Sequence, residues 1–122
     1  MDPIRAVDVD AVAAGRPEFW SQEVIGEANG SLLKAAKGVG GTNWHSHDDQ
    51  DEVFLVTHGT LVVELREGDV AVDAGQLLVV PRGVEHRPRA DAETRFLIIG
   101  TSVTSNAAGG KPDWSRDGGE PG

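Results

Sequence analysis

His45, Ser46 and His47 are followed after four residues by Glu52 and after six more by Gly59. Further along, Gly75 precedes, by five residues, the tripeptide Pro81-Arg82-Gly83, and His86 comes two residues after that. Three imidazoles and a carboxylate form a ligand set for a divalent transition metal. Any fold that uses all four must return His86 to His47 across 39 positions of chain, so the pattern constrains topology as well as chemistry.

The local spacing has a physical reading. On a strand, alternate side chains share a face, so His45 and His47 would sit about 6.6–6.8 Å apart on one side, with Trp44 and Ser46 on the other. A hairpin or short loop through Asp48-Asp49-Gln50-Asp51 then returns Glu52 beside them. His86 has to arrive on a separate strand, after a corner at Pro81-Arg82-Gly83, where proline fixes φ and glycine permits a positive φ.

The centre of the chain reads as strand after strand. Leu32 to Lys37, Glu52 to Thr57, Leu61 to Arg66, Val70 to Asp73, Leu77 to Val80 and Arg95 to Ile99 are apolar or β-branched, with turns at His58-Gly59, Glu67-Gly68-Asp69 and Ala74-Gly75. Leu61, Val63 and Leu65 alternate with Val62, Glu64 and Arg66, which predicts a half-buried strand. Leu77-Leu78-Val79-Val80 shows no alternation, which predicts cover on both faces. Short strands at this spacing indicate a sandwich or barrel.

These residues resemble the two motifs of the cupin superfamily. The first is a glycine, a short spacer, His-x-His, three or four residues, Glu, six residues and Gly, matched at His45, His47, Glu52 and Gly59; Gly40 lies one residue closer to His45 than the usual leading glycine. The second, Gly-x5-Pro-x-Gly-x2-His-x3-Asn, is matched at Gly75, Pro81, Gly83 and His86, and departs at Ala90, which replaces asparagine. The fifteen residues between Gly59 and Gly75 resemble the inter-motif spacing of small microbial cupins. The resemblance covers roughly residues 30 to 100. It implies an all-β fold, a double-stranded β-helix or jelly-roll-like barrel. It also implies one metal held by His45, His47, Glu52 and His86, with two coordination positions open to water or to a substrate that chelates through two oxygens. The ligand set does not choose among Fe, Mn, Ni, Co and Zn.

Composition removes other classes. There is no cysteine, hence no disulfide, thiolate site or cysteine nucleophile. The opening Met1-Asp2-Pro3-Ile4-Arg5 lacks the apolar run of a signal peptide and no stretch approaches a membrane span, so a cytoplasmic location is expected. A net charge of −9 argues against nucleic acid. Arg82, Arg87 and Arg89 flank His86 and could invert the field locally, which makes Arg82 and Arg87 candidates for the substrate pocket, with cover of the barrel surface as the plainer role. Phe54, one pleat from Glu52, either walls that pocket or fills the core. His58 shares the parity of Glu52 but lies six residues, about 20 Å, along the strand, so it is a turn residue. The run Asp48, Asp49, Asp51 lacks the central glycine and ordered ligands of a calcium loop and reads as a solvated rim. Gly38-Val39-Gly40-Gly41 lacks the Lys-Ser/Thr of a phosphate loop and reads as a turn.

Three regions follow. Residues 1–29 form an irregular segment, with a short helix over Asp8 to Ala14 and with Phe19, Trp20, Val24 and Ile25 free to cover the barrel or a partner. Residues 30–101 form the barrel. Residues 102–122, rich in Gly, Ser, Pro and Asp, form a flexible tail with Trp114 its only large apolar side chain. Small cupins commonly pair, so a homodimer through edge strands or the N-terminal segment is expected. Two functions remain open: a metal-dependent enzyme acting on a small oxygen-rich metabolite (dioxygenase, isomerase, epimerase or lyase), with Glu52 as an additional base, or a module that binds or senses a small molecule without turnover.

Overall fold

Alternation of apolar and polar side chains along short β-branched runs produces strands here, and one long strand ties them together. The computed structural model describes residues 3–102. In chain order the elements are α1 (Val9–Ala14), β1 (Glu23–Ala28), β2 (Ser31–Gly41), β3 (Glu52–His58), β4 (Thr60–Leu65), β5 (Gly68–Asp73), β6 (Leu77–Val80) and β7 (His86–Gly100). All strand pairs are antiparallel.

β7 serves both walls of the barrel. Its first residues pair with β4, from Leu65 opposite His86 to Val62 opposite Arg89, and its last pair with β3, from His58 opposite Arg95 to Val53 opposite Ile99. Between the two halves, the register against β2 shifts between Gly38 and Gly40, and Asp91 and Ala92 are exposed. One wall is therefore β1-β2-β7-β3-β6, and the other is β4 with β5 against the first half of β7. The expected strand Arg95–Ile99 is the second half of this element. That its first half begins at His86 is what carries the distant histidine into the sheet.

The core lies between the walls: Ala36, Phe54, Val56, Val80, Phe96 and Ile98 from one side, Leu61, Val63 and Val72 from the other. Each large side chain buried this way contributes about 1.5–3 kcal/mol. Gly59 turns β3 into β4 at φ +82°, and a Cβ there would stand 2.7 Å from Thr94 Oγ1, so both the turn and its close approach to β7 require glycine.

Within the N-terminal segment, α1 starts at Asp8, whose side chain accepts from the Ala11 N–H at 3.0 Å. Asp10 accepts from Thr57 Oγ1 at 2.8 Å and Arg95 Nη1 at 3.0 Å, which pins α1 to the outer surface of β3 and β7. β1 joins the sheet by pairing with β2. Trp20 enters the open edge of the core with φ +69°. Its N–H donates to the Lys37 carbonyl at 2.6 Å, its Nε1 to the Val39 carbonyl at 3.1 Å, and its ring covers Gly38, where a Cβ would come within 2.6 Å.

One expectation about the sheet is corrected. β6 is not covered on both faces: Leu77 is 60 % exposed and Val79 49 % exposed. Among the described residues β6 ends the hydrogen-bonded path, paired only with β3, and no layer lies over its outward side chains. The tail expected over 102–122 lies, from residue 103 on, outside the described residues. No helix among the described residues is long and apolar enough to cross a membrane.

Candidate metal centre

Glu52 is the first residue of β3 and His86 the first of β7, and both are buried, at 2 % and 1 % exposure. The other two side chains come from a loop. Residues 42 to 51 contain no strand; His45 makes only an isolated bridge to His86, with paired N–H···O=C bonds of 3.0 and 2.9 Å. The strand expected to carry His45 and His47 is therefore replaced by a loop whose ladder stops after one pair. The His47 carbonyl accepts from the Gly83 N–H at 2.8 Å, so the Pro81-Arg82-Gly83 corner holds the loop as well as starting β7. Asp51 Oδ1 accepts from the Arg82 N–H at 2.9 Å, giving one member of the acidic run a turn to close.

Together these elements place one ligand atom from each of His45, His47, Glu52 and His86 within 4.8 Å of one another. His86 Nε2 lies 3.0 Å from Glu52 Oε1, and His47 Nε2 lies 3.5 Å from Glu52 Oε2. The imidazole rings crowd the same space: His45 and His86 have centroids 4.4 Å apart, His45 and His47 5.1 Å.

The hydrogen bonds behind the rings decide what this space suits. His45 Nδ1 is 2.8 Å from the Asn43 carbonyl and His86 Nδ1 is 2.9 Å from the Val84 carbonyl. A carbonyl only accepts, so both Nδ1 atoms carry the proton, and the neutral rings turn an Nε2 lone pair inward. For His86 that lone pair faces the Glu52 carboxylate at 3.0 Å. Two acceptors at that distance need a proton or a cation between them. Two donors about 2.1 Å from one ion and at right angles would be about 3 Å apart. His47 Nε2 is buried without a hydrogen-bond partner. The donor set, its spacing and this buried nitrogen fit a divalent metal.

The electrostatics agree. Burial pushes the His45 pKa down to about 4, outweighing its hydrogen bond to Asn43. For Glu52, burial alone would raise the pKa, but the contacts with His47 and His86 lower it further, to about 2. The His47 pKa is raised, mainly by the Glu52 carboxylate. Glu52 is thus a carboxylate at any ordinary pH, with Oε1 3.0 Å from His86 Nε2 and Oε2 3.5 Å from His47 Nε2.

A narrow cavity of about 10 Å³, room for little more than one water, opens directly off two of the four, lined by Trp20, Gln22, His45, Glu52, Phe54, Pro88, Phe96 and Ile98. Phe54 is thus a wall of the cavity as well as a core residue. Arg82 and Arg87 are not among its walls. Arg82 turns its guanidinium to Asp51 at the surface. Arg87 pairs with Glu64 at 2.8 Å and lies 5.7 Å over the Trp44 ring, while Arg66 covers that ring at 3.8 Å. His86 and Pro88 turn inward, so Arg87 and Arg89 must turn outward.

A match to the cupin domain model spans residues 31–100. The chain belongs to the cupin family. This cupin is 35 % identical over 90 residues to YdbB, an uncharacterised protein of Bacillus subtilis, covering 73 % of this chain and 80 % of that one. It is similar to the crystal structure of a cupin-2 domain protein from Shewanella frigidimarina, at TM-score 0.73 and 38 % identity over 76 % of this chain and 91 % of the other. A Neisseria meningitidis protein of known structure matches at TM-score 0.71 and 27 % identity over 80 % of this cupin and its own full length.

Sequence reasoning missed three polar residues beside the centre. Gln22, from the segment before β1, reaches the cavity. Lys34 is 0 % exposed, and its Nζ donates to the Ser102 carbonyl at 2.6 Å. Burial lowers its pKa while the Glu52 carboxylate opposes the shift. Gln50 lies over Gly100, donates to Ser102 Oγ at 2.6 Å and accepts from the Thr101 N–H at 2.7 Å, which fastens the histidine loop to the end of β7. A signal existed only for Lys34, a lone cation in the run Leu32-Leu33-Lys34-Ala35-Ala36.

Proposed function

We propose that this cupin is a cytoplasmic metal-dependent enzyme that holds one divalent ion (Fe, Mn, Ni, Co or Zn) through His45, His47, Glu52 and His86. Its substrate is a small metabolite that chelates through two oxygens. The observation that carries this reading is the donor cluster, one ligand atom from each of His45, His47, Glu52 and His86 within 4.8 Å of one another; beside it a narrow crevice begins at His45 and Glu52 and continues between Trp20, Phe54, Phe96, Pro88 and Ile98. As it stands the crevice has room for a water, so a ligand that presents oxygens to the centre must part its apolar walls and the single amide, that of Gln22. No arginine or lysine is among those walls, which disfavours a substrate with a second anionic end.

A bound ion supplies Lewis-acid polarisation of substrate oxygens or, if redox-active, a route to dioxygen. The chain's residues orient and enclose. The Asn43 and Val84 carbonyls fix the tautomers of His45 and His86; the aromatic walls exclude water. Glu52 serves as a ligand and not as the additional base: its depressed pKa and the contact of its Oε1 with His86 leave it poorly placed to take a proton near neutral pH.

One observation favours the second reading, a binding or sensing module. Beyond the ligands themselves, the cavity walls contribute no side chain that exchanges a proton near neutral pH. Elemental analysis of untagged protein, wild type against His45→Ala/His47→Ala, followed by titration of the cobalt-loaded protein with a bidentate oxygen chelator, tests both readings. About one metal per chain lost in the variant, with a chelator-dependent shift of the visible bands, supports the centre. Absence of metal from both proteins after anaerobic reconstitution would sink it. A saturable site with no turnover across oxygenase, isomerase and lyase panels would transfer the assignment to the binding module.

A further inference from the structure

The crevice beside the centre has walls of two kinds. Phe54, Pro88, Phe96 and Ile98 belong to β3 and β7, whose ladders hold them in place. Trp20 and Gln22 belong to the stretch between α1 and β1, which forms no strand. Trp20 ties this stretch to β2 through its bonds to the Lys37 and Val39 carbonyls. Ser21 folds it on itself, its hydroxyl donating to the Glu18 carbonyl at 2.8 Å. Trp20 also holds φ +69°, a left-handed conformation that a bulky side chain adopts when its surroundings impose it. The strand-borne walls are fixed by the sheet, so the Trp20–Gln22 stretch is the wall that yields when a ligand parts the crevice.

Gln22 differs from the rest of that wall. It is 2 % exposed, and among the described residues it is the only polar side chain lining the crevice apart from His45 and Glu52. Taking an amide out of water is costly unless it finds hydrogen bonds. Cover alone would be served better by an apolar side chain such as that of Trp20. An amide offers two N–H donors and an oxygen that accepts twice. With four bonds to offer, it can keep a partner in its own chain and still bond an entrant. An oxygen placed in the crevice has His45, Glu52 and the Gln22 amide as its polar neighbours, about the number that a buried water ordinarily needs.

We propose that Gln22 is the specificity-determining residue of this centre: its amide N–H donates to the ligand oxygen nearest His45 and Glu52, and so selects ligands that accept there. The inference rests on the metal reading for what draws the ligand in, and goes beyond it in naming the residue that reads the ligand. A site built to hydrogen-bond an oxygen rejects an analogue that accepts poorly, because the buried amide is then left unmatched. Entry and recognition are coupled, since the wall that moves aside carries the group that makes the bond.

The test is titration of the cobalt-loaded full-length protein with acetohydroxamate and with its thio analogue, followed in the visible bands. In the analogue, sulfur, a weak acceptor, replaces the carbonyl oxygen. Gln22→Met keeps the length of the side chain and removes the amide. The variant should hold cobalt at wild-type stoichiometry, bind acetohydroxamate about 10-fold more weakly and bind the thio analogue unchanged. A structural role for Gln22 would weaken both ligands alike, and that outcome would overturn the proposal, as would no change in either. Should Gln22→Met not fold, amide spectra of zinc-loaded wild type, isotopically labelled at glutamine, decide. On addition of acetohydroxamate the Gln22 side-chain signal should shift, while that of Gln76, whose backbone bonds Val56 at the far end of β3, stays. A Gln22 signal that does not move with ligand bound would overturn the proposal and put the ligand on the solvent side of His47, whose side chain is 17 % exposed. A wild type that takes up neither cobalt nor zinc would instead overturn the metal reading, and this inference with it.

Discussion

The strand-borne and loop-borne halves of the centre are built differently. Glu52 and His86 stand at the starts of β3 and β7, almost fully buried and positioned by ladder partners: Val80 for Glu52, Leu65 for His86. His45 and His47 stand on a loop tied down by the His45–His86 bridge, the Gly83–His47 bond and the Gln50 clasp on the end of β7. One half is fixed by sheet geometry, which cannot change without loss of the fold. The other is fixed by a few bonds that can be changed singly. The adjustable half therefore sets affinity and pH response, while the rigid half sets where the centre lies.

The largest effect should come from the loop. His47→Ala removes a ligand without touching a strand, so the barrel should stay folded while metal affinity falls by at least about 100-fold. Metal titration beside a thermal melt checks this, and stoichiometric metal in the variant would defeat the assignment.

The two halves should also separate by pH in the metal-free protein. His45 has an ordinary value of 6.5, held near 4 in the fold. As pH falls through that window the unfolded chain takes a proton that the folded chain refuses, and stability drops by up to about 3 kcal/mol. Glu52 is held near 2 against an ordinary 4.5, so its contribution is present above 4.5 and is lost as pH falls toward 2. His47, raised, opposes the first loss: its contribution is present below 6.5 and disappears as pH rises through its folded value. Urea melts from pH 8 to pH 3 should show a decline beginning near 6.5, absent in His45→Gln; an unchanged profile in that variant would remove His45 as the cause.

Gln50→Leu should sharpen the comparison by loosening the loop alone. Metal affinity is expected to fall about 10-fold, in the range of residues that orient ligands, with the sheet's amide protection unchanged. If slow-exchanging amides of β3 and β7 were lost as well, the clasp would belong to the sheet. The smallest effect should come from Trp44→Ala, which removes the ring stacked under Arg66 beside His45. The expected cost is about 1 kcal/mol of stability and a few-fold loss in metal affinity, measured by the same titration.

Much of this was legible from local pattern. Alternation located β4, and the turn glycines bounded β3, β5 and β6, because these depend on neighbours a few residues apart. The outward turn of Arg87 was legible too, since it alternates with His86, yet charge proximity suggested a pocket. Other features depended on distant partners. β6 shows no alternation although only its inner side meets the core: among the described residues nothing covers the outer side of Leu77 and Val79. Lys34 is buried because Ser102, 68 residues later, offers its carbonyl.

The sequence by itself determined the donor types, their spacing, the corner before His86 and the β character of the chain. These are properties of side-chain chemistry and of short-range backbone preference, and they hold whichever strands pair. Tertiary structure alone decided that β7 runs unbroken from His86 to Gly100 across both walls and that the histidine segment is a loop. It also decided that the cavity beside the centre is walled by aromatics and not by arginines. Those outcomes come from pairing between residues tens of positions apart, where burial and hydrogen-bond satisfaction over the whole barrel override local preference.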